Sequence, residues 1–404
     1  MDLLVDGIKK GYVRETGQSR KLTIDGHTDV YPVYAIKLDR LFYNNQNDRI
    51  ASWTSEWRAE HGKDIDPSAP NYNEVIEGYV VASNPDAIRK TQNNIKLNGQ
   101  QEPGVVLASG VIVDGNRRYT CLRRLAQENP AFGWFEANIL DKRIAADPKR
   151  IKMLELTIQH GRESRVPYDP IDRLVGVYLD LLKNHLLTPA EYAKSCNLKQ
   201  SEVKAYMEQA GYLVEFLDFI GAPEQFHIAR ELSLSGPIGE ISAILKKCKN
   251  EDEMERVKGL VYTSMLVEPQ GDITRYVRQF KTVLGSKYAD EFLDEEERVA
   301  EKVVDSLNVG GEVTAERIRK VRTVPAFSNG LRRPMEKATE KIKRDKFLSM
   351  STMKLGSALD DLEDADPEIL AKMPEATRRD ALDTLEKIVS RCAELDEALR
   401  ASLE

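Results

Sequence analysis

Cysteine, histidine and tryptophan are scarce in this chain of 404 residues, which holds four, five and three of them. Cys121, Cys196, Cys248 and Cys392 lie far apart with no C-x-x-C pair, which argues against a zinc ribbon and a disulfide framework and favours a reducing compartment. The histidines are scattered, and no H-E-x-x-H, G-x-S-x-G or G-x-x-x-x-G-K-[ST] string occurs, so zinc-protease, serine-hydrolase and P-loop chemistry have no footing. No apolar run approaches the roughly eighteen residues that span a bilayer, and Met1–Lys10 has no signal-peptide core. Repeats and low-complexity segments are missing as well. The expectation is a soluble, cytoplasmic protein with no membrane partner, long enough for two to three domains.

Charge is present in quantity but unevenly placed. The last stretch, 351–404, carries fourteen acids and seven bases, so it alone supplies the net −7, and the preceding 350 residues balance at 52 of each sign. An acidic total therefore does not exclude nucleic acid, because binding follows local patches. One such patch runs from Glu316 to Lys346, with eleven bases and four acids; it suits either a DNA backbone or a solvated helix face.

The first 147 residues read as α+β. Lys21–Ile24, Asp25-Gly26 and Val30–Leu38 form a hairpin signal, since Asp-Gly supplies the positive φ values of a tight turn. Apolar residues on both faces of Val30–Ile36 suggest a covered strand. Asn84-Pro85-Asp86 reads as a capped helix start. Val105–Ser109 and Gly110–Val113 read as short strands, Arg117–Gln127 as a helix and Phe135–Leu140 as a last strand. Trp53, Trp57 and Trp134 are expected to pack.

From 148 onward the pattern is helical, with one region at 148–285 and another at 286–404. Ile171–Leu182 has helical apolar spacing. Thr188-Pro189-Ala-Glu191 combines an N-cap, a first-turn proline and a capping box. Gly310-Gly311 and Pro325–Gly330 are the best later breaks. Glu375–Leu399 carries Leu382, Leu385, Val389, Cys392, Leu395 and Leu399 on one stripe, which suits either a dimer-forming coiled coil or a helix packed on its own domain.

Two segments suggest chemistry. In Val111–Leu125 a strand ends, Gly115 lets backbone approach closely, and a helix opens with Arg117 and Arg118 in its first turn. Free N–H groups, the helix dipole and guanidinium forks suit a phosphate there, and the plain alternative is a turn with solvated arginines. In 187–213, Ala193, Asn197 and Val203 fall where a helix-turn-helix needs a small residue, a left-handed turn and a buried anchor. Lys199, Gln200, Ser201 and Lys204 would then face DNA, Gln200 reading a base edge and the lysines resting on phosphates; an ordinary helical hairpin has the same outline. Lys149–Arg165 is a basic linker that suits a nucleotide site, a DNA backbone or a solvated helix end.

The order of these pieces resembles the ParB family, a ParB/sulfiredoxin-like N-terminal domain followed by a helix-turn-helix. The likeness rests on Ile36–Arg49 (an L-x-x-N-x-x-x-x-R box), Asp114–Leu125 with its G-x-R-R string, and Leu154–Gln159 through Pro167–Ile171, and it covers a little under half the chain. It implies a dimeric DNA-binding protein that binds CTP or another NTP with magnesium, closes as a clamp on double-stranded DNA, and acts with a partner ATPase in plasmid or chromosome partition or related gene regulation, associated with nucleoid or plasmid. Carried over residue by residue, it implies nucleotide contacts from Gln46, Arg49, Gly115, Asn116, Arg117, Arg118, Thr157 and Gln159, and a metal contact from Glu155. The sequence departs from the family where Asn116 replaces a glutamate and where Leu156 and Thr157 replace a Glu-Asn pair that serves the metal. The same fold includes sulfiredoxin, but Cys121 falls a turn inside the helix and does not match its catalytic position. The alternatives are an NTPase or nuclease on the same fold, such as one directed against foreign DNA, for which the sequence offers no compact carboxylate cluster, and an inert scaffold.

Overall fold

The computed structural model describes residues 2–24, 27–45, 47–140, 147–160, 169–308 and 313–403, so the Asp25-Gly26 turn, Gln46, Arg162, Arg165 and Gly310-Gly311 lie outside the described residues. The chain divides into two compact units, 1–336 and 337–404. Its architecture is mixed α+β, with a five-stranded sheet near the N-terminus followed by many helices.

Strands β1 (Val13–Ile24), β2 (His27–Lys37), β3 (Gly104–Leu107), β4 (Ile112–Asp114) and β5 (Trp134–Leu140) lie in the order β1-β2-β5-β3-β4. All pairs are antiparallel except β3 with β5, where Gly104 faces Ala137 and Leu107 faces Leu140. Only Val33–Lys37 of β2 pair with β5. The other end of the hairpin therefore has a single neighbour, and Val30, expected under cover, is 61% exposed.

Four helices, α1 (Ala51–His61), α2 (Tyr72–Ser83), α3 (Pro85–Asn98) and α4 (Asn116–Glu128), belong with this sheet. Asn84 caps α3 as expected, its side chain accepting from the Ala87 amide at 2.9 Å. Ile36, Tyr43, Ile76, Ile88, Ile95, Tyr119, Leu122 and Phe135 form the main core of this part. A second cluster joins Leu22, Ile24, Val105, Val113 and Leu140 to Leu154 and Ile158 of helix α5 (Pro148–His160). Burial of these apolar side chains is the main favourable term for both layers.

Helix α6 (Pro170–Val177) passes into a π-helical turn, Tyr178–Lys183, and is followed by α7 (Pro189–Cys196) and α8 (Gln200–Phe219). Helices α9 (Phe226–Glu231), α10 (Ser235–Leu245), α11 (Glu251–Val267), α12 (Ile273–Leu284), α13 (Ala289–Asn308) and α14 (Ala315–Arg322) complete the helical part before α15 (Pro325–Glu363) begins. The α+β and helical parts interlock at α1. The Ser52 amide donates to Asp172 of α6 at 3.0 Å, and Arg230 of α9 donates to the Ser52 hydroxyl at 2.7 Å while covering the Trp53 ring at 3.5 Å. Trp57 also packs on the core, whereas Trp134 lies under the Arg14 guanidinium at 4.0 Å.

Pro325–Gly330, expected as a break, instead forms the first turns of α15. Proline fits the first turn of a helix, and a Cβ at Gly330 would lie 3.0 Å from the Val299 side chain, so the glycine serves close packing on α13. Between α12 and α13, the Tyr276 hydroxyl lies 2.9 Å from the Leu331 carbonyl and 3.1 Å from Glu296. Burial pushes the Glu296 carboxyl well above its ordinary pKa.

The second unit contains most of α15, then α16 (Pro367–Lys372) and α17 (Glu375–Ala401). None of residues 339–403 is buried. No helix among the described residues is long and apolar enough to cross a membrane.

Candidate functional site

Strand β4 ends at Asp114 and α4 begins at Asn116, and the joint is possible because Gly115 adopts φ +109°. A Cβ at Gly115 would lie 2.8 Å from the Phe135 ring and 3.1 Å from the Arg118 guanidinium, so both backbone strain and space demand glycine. No side chain caps the first turn of α4. The helix is anchored from within: Tyr119 donates its hydroxyl between the carbonyls of Leu38 and Leu41 at 3.0 and 2.8 Å, and Thr120 shares a 2.7 Å hydrogen bond with Tyr43. Those bonds also hold the loop that leads to Arg49, whose amide donates to Asn47 at 3.0 Å. Arg123 pairs with Glu74 and Glu77 at 2.9 and 2.7 Å and locks α2 against α4.

Between these elements opens a cleft of about 1180 Å³, solvent at its mouth included, whose walls contain Arg49, Gly115, Asn116, Arg117, Arg118 and Gln159. An inner pocket of about 610 Å³ shares Asn47, Arg49, Asn116 and Arg117 with it and adds the apolar wall of Ile50, Ile76 and Val80. Ligand sites have this character, apolar surface with a few convergent polar groups, and the space suits a nucleotide. Six of the eight nucleotide-contact candidates thus meet in one cavity. Thr157 is not among its wall residues, and Gln46 lies outside the described residues.

Arg118 lines the cleft and is at the same time paired. Its guanidinium turns back onto Asp114 at 3.0 Å, an i,i+4 pair with both side chains at most one-fifth exposed. Arg118 therefore braces the strand end, and Arg49 and Arg117 also stand in the walls of both cavities.

Glu155 sits on the other side of this wall. Its buried carboxylate accepts from the Gln159 amide at 3.0 Å and belongs to a buried group with Asp48, Lys152 and Asp180. The Lys152 ammonium lies 2.5 Å from Asp48 and 3.3 Å from Asp180. Burial alone would lower the Lys152 pKa, but Asp48, Glu155 and Asp180 push it well above the ordinary value. Burial raises Glu155 to about 8 against the pull of Lys152, and burial with the charge of Asp48 raises Asp180 to about 7. Glu155 does not fit the expected magnesium contact, since a fixed ammonium already occupies the centre of the carboxylates. Among the described residues no three His, Cys, Asp or Glu side chains are placed to hold a metal ion.

This buried group around Lys152 was not among the residues singled out from the sequence. A signal was present: Lys152 and Glu155 stand between Ile151, Leu154, Leu156 and Ile158, so a helix apolar on most sides must bury them.

The two helices expected within 187–213 are present, with their cap and turn. Thr188 accepts from the Glu191 amide at 3.3 Å and its own amide donates to Glu191 at 2.9 Å, completing the capping box. Lys149 pairs with Glu191 at 2.6 Å, and that bond, with those from Thr188, holds the carboxyl down at about 2. Asn197 takes the left-handed turn at φ +55°, and Ala193 and Val203 are buried. Lys199, Gln200, Ser201 and Lys204 are all exposed around the first turn of α8, while the Glu202 carboxylate accepts from the Lys199 amide at 2.8 Å. Helix α8 continues to Phe219.

The basic segment spends its first half on the chain itself. Arg322 donates to the carbonyls of Met265 and Leu266 and pairs with Glu268, Arg319 pairs with Glu231 at 2.6 Å, and Lys320 pairs with Glu316 at 3.0 Å. No protein-family model and no curated protein matches this sequence.

Proposed function

We propose that this chain is a ParB-like DNA-binding protein in which a nucleoside triphosphate, CTP by the family resemblance, binds the arginine-walled cleft and gates the hold on double-stranded DNA, in plasmid or chromosome partition or related gene regulation. The observation that carries this reading is the convergence of Arg49, Gly115, Asn116 and Arg117 on one cavity, in the same compact unit as a capped helix-turn-helix. Triphosphate oxygens would lie against Arg49 and Arg117 and the open amides of α4, with Gly115 allowing the close approach. The exposed Lys199, Gln200, Ser201 and Lys204 would enter the major groove.

A homodimer belongs to the same proposal. The exposed stripe of α17 needs a cover, and a second copy supplies an identical stripe. Self-repulsion does not oppose this strongly, because residues 375–401 hold seven acids and five bases, whereas six acids without a base crowd 360–368.

An enzymatic reading finds less support. The carboxylates of Asp48, Glu155 and Asp180 are buried around Lys152 rather than turned to the arginine cleft. The test is calorimetry of the full chain with each of the four NTPs, together with duplex binding over a range of salt. The reading expects one NTP to bind and duplex affinity to fall steeply with salt, less steeply in a Lys199→Ala, Lys204→Ala variant. Absence of any NTP binding, or an affinity for DNA indifferent to salt, contradicts it.

A further inference from the structure

Three stretches far apart in sequence meet at one ammonium group. Lys152 of α5 pairs with Asp48, the residue before Arg49, and with Asp180 in the π-helical turn. Asp48 thereby fixes the short turn that carries Arg49 into the cleft wall. Asp180 has a second connection: its backbone carbonyl accepts from the amides of Leu186 and Leu187 at 2.8 and 3.2 Å, immediately before the Thr188 cap of α7. The fold makes room for this junction, because a Cβ at Gly176 of α6 would lie 2.8 Å from the Asp48 carboxyl carbon. On the cleft side, Gln159 is both a wall residue and the hydrogen-bond partner of Glu155.

A buried charge tolerates little loss of its partners, so these groups hold a narrow geometry and respond together when one is displaced. We propose that Lys152 is a positioning residue that couples the arginine cleft to the helix-turn-helix: a phosphorylated ligand drawing on Arg49 moves Asp48, and Lys152 with Asp180 passes that movement to the seat of α7 and α8. This rests on the cleft reading above. It requires only that the ligand favour one arrangement of the Arg49 turn over another, since a ligand indifferent to the two would shift nothing.

The test compares duplex affinity of the full chain with and without saturating CTP and magnesium, and in parallel with inorganic tripolyphosphate. The variants are Asp180→Asn and the charge-free quadruple variant Asp48→Asn, Lys152→Met, Glu155→Gln, Asp180→Asn, which leaves no unpaired buried ion if the single change misfolds. In the wild type, ligand changes duplex affinity by roughly tenfold, as is usual for coupled sites. In a folded variant CTP binding survives and that ratio shrinks toward one, a loss that a merely structural role would not produce. Variants that bind CTP and keep the full ratio overturn the proposal, as does a wild type that binds CTP with no change in its grip on DNA. If neither CTP nor tripolyphosphate binds the wild type, the cleft reading itself falls and the coupling falls with it.

Discussion

The two units of this chain treat charge and apolar surface in opposite ways. In 1–336 apolar side chains fill cores and the important charges are drawn inside, as in the pairing of Lys152 with Asp48 and Asp180. In 337–404 ion pairs such as Arg379–Glu375, Lys387–Asp383 and Arg400–Asp396 run along one exposed helix, while Leu382 and Val389 remain 62% and 67% exposed. Long isolated helices are marginal in water, and surface i,i+4 pairs add little. The first unit thus holds its apolar surface within itself, and the second leaves its stripe exposed.

The sharpest way to break this contrast is to remove one charge from each unit. Lys152→Ala leaves Asp48, Glu155 and Asp180 buried without their cation, and chemical denaturation should show a loss of about 3–5 kcal/mol. Lys387→Ala in α17 should change stability by no more than about 0.5 kcal/mol. Equal effects would show that the Lys152 group is not the structural joint described.

The stripe of α17 gives the next largest effect. Leu385→Asp with Leu399→Asp should convert a dimer to a 45.7 kDa monomer in sedimentation velocity and leave the melting of the first unit in place. A wild type that is already monomeric at micromolar concentration would remove the second copy as the cover.

A smaller effect concerns pH. Glu155 titrates at about 8 in the folded chain and ordinarily near 4.5, so the folded state holds its proton more tightly than the unfolded state. Its contribution is therefore complete at low pH and declines as pH rises from about 4.5 through 8. Glu155→Gln should flatten the fall in melting temperature between pH 5.5 and 8, and an unchanged slope would mean the carboxyl is not the titrating group.

What could be read in the sequence was local. Asn84-Pro85, Thr188-Pro189-Ala-Glu191 and Asn197 announce their caps and turn because each is satisfied by backbone within a few residues. Gly115 is similar, its need for positive φ following from a strand that must turn at once into a helix. The fate of Arg118 was within reach too, since Asp114 stands four residues before it. The partner of Lys152 was not: Asp48 is 104 residues away, and only the tertiary fold brings α5 against that turn. Val30 went astray for a related reason, because alternation shows that a strand has two apolar faces but not how many strands lie beside it.

The central claim, that the cleft between the 47–50 turn and α4 holds phosphate, is tested most directly by titrating CTP with magnesium into the full chain and into its Arg117→Ala variant. Loss of a charge-assisted contact worth about 1.5–3 kcal/mol should weaken binding by about 10- to 100-fold while the circular dichroism spectrum stays the same. An affinity equal in the two proteins would contradict the account.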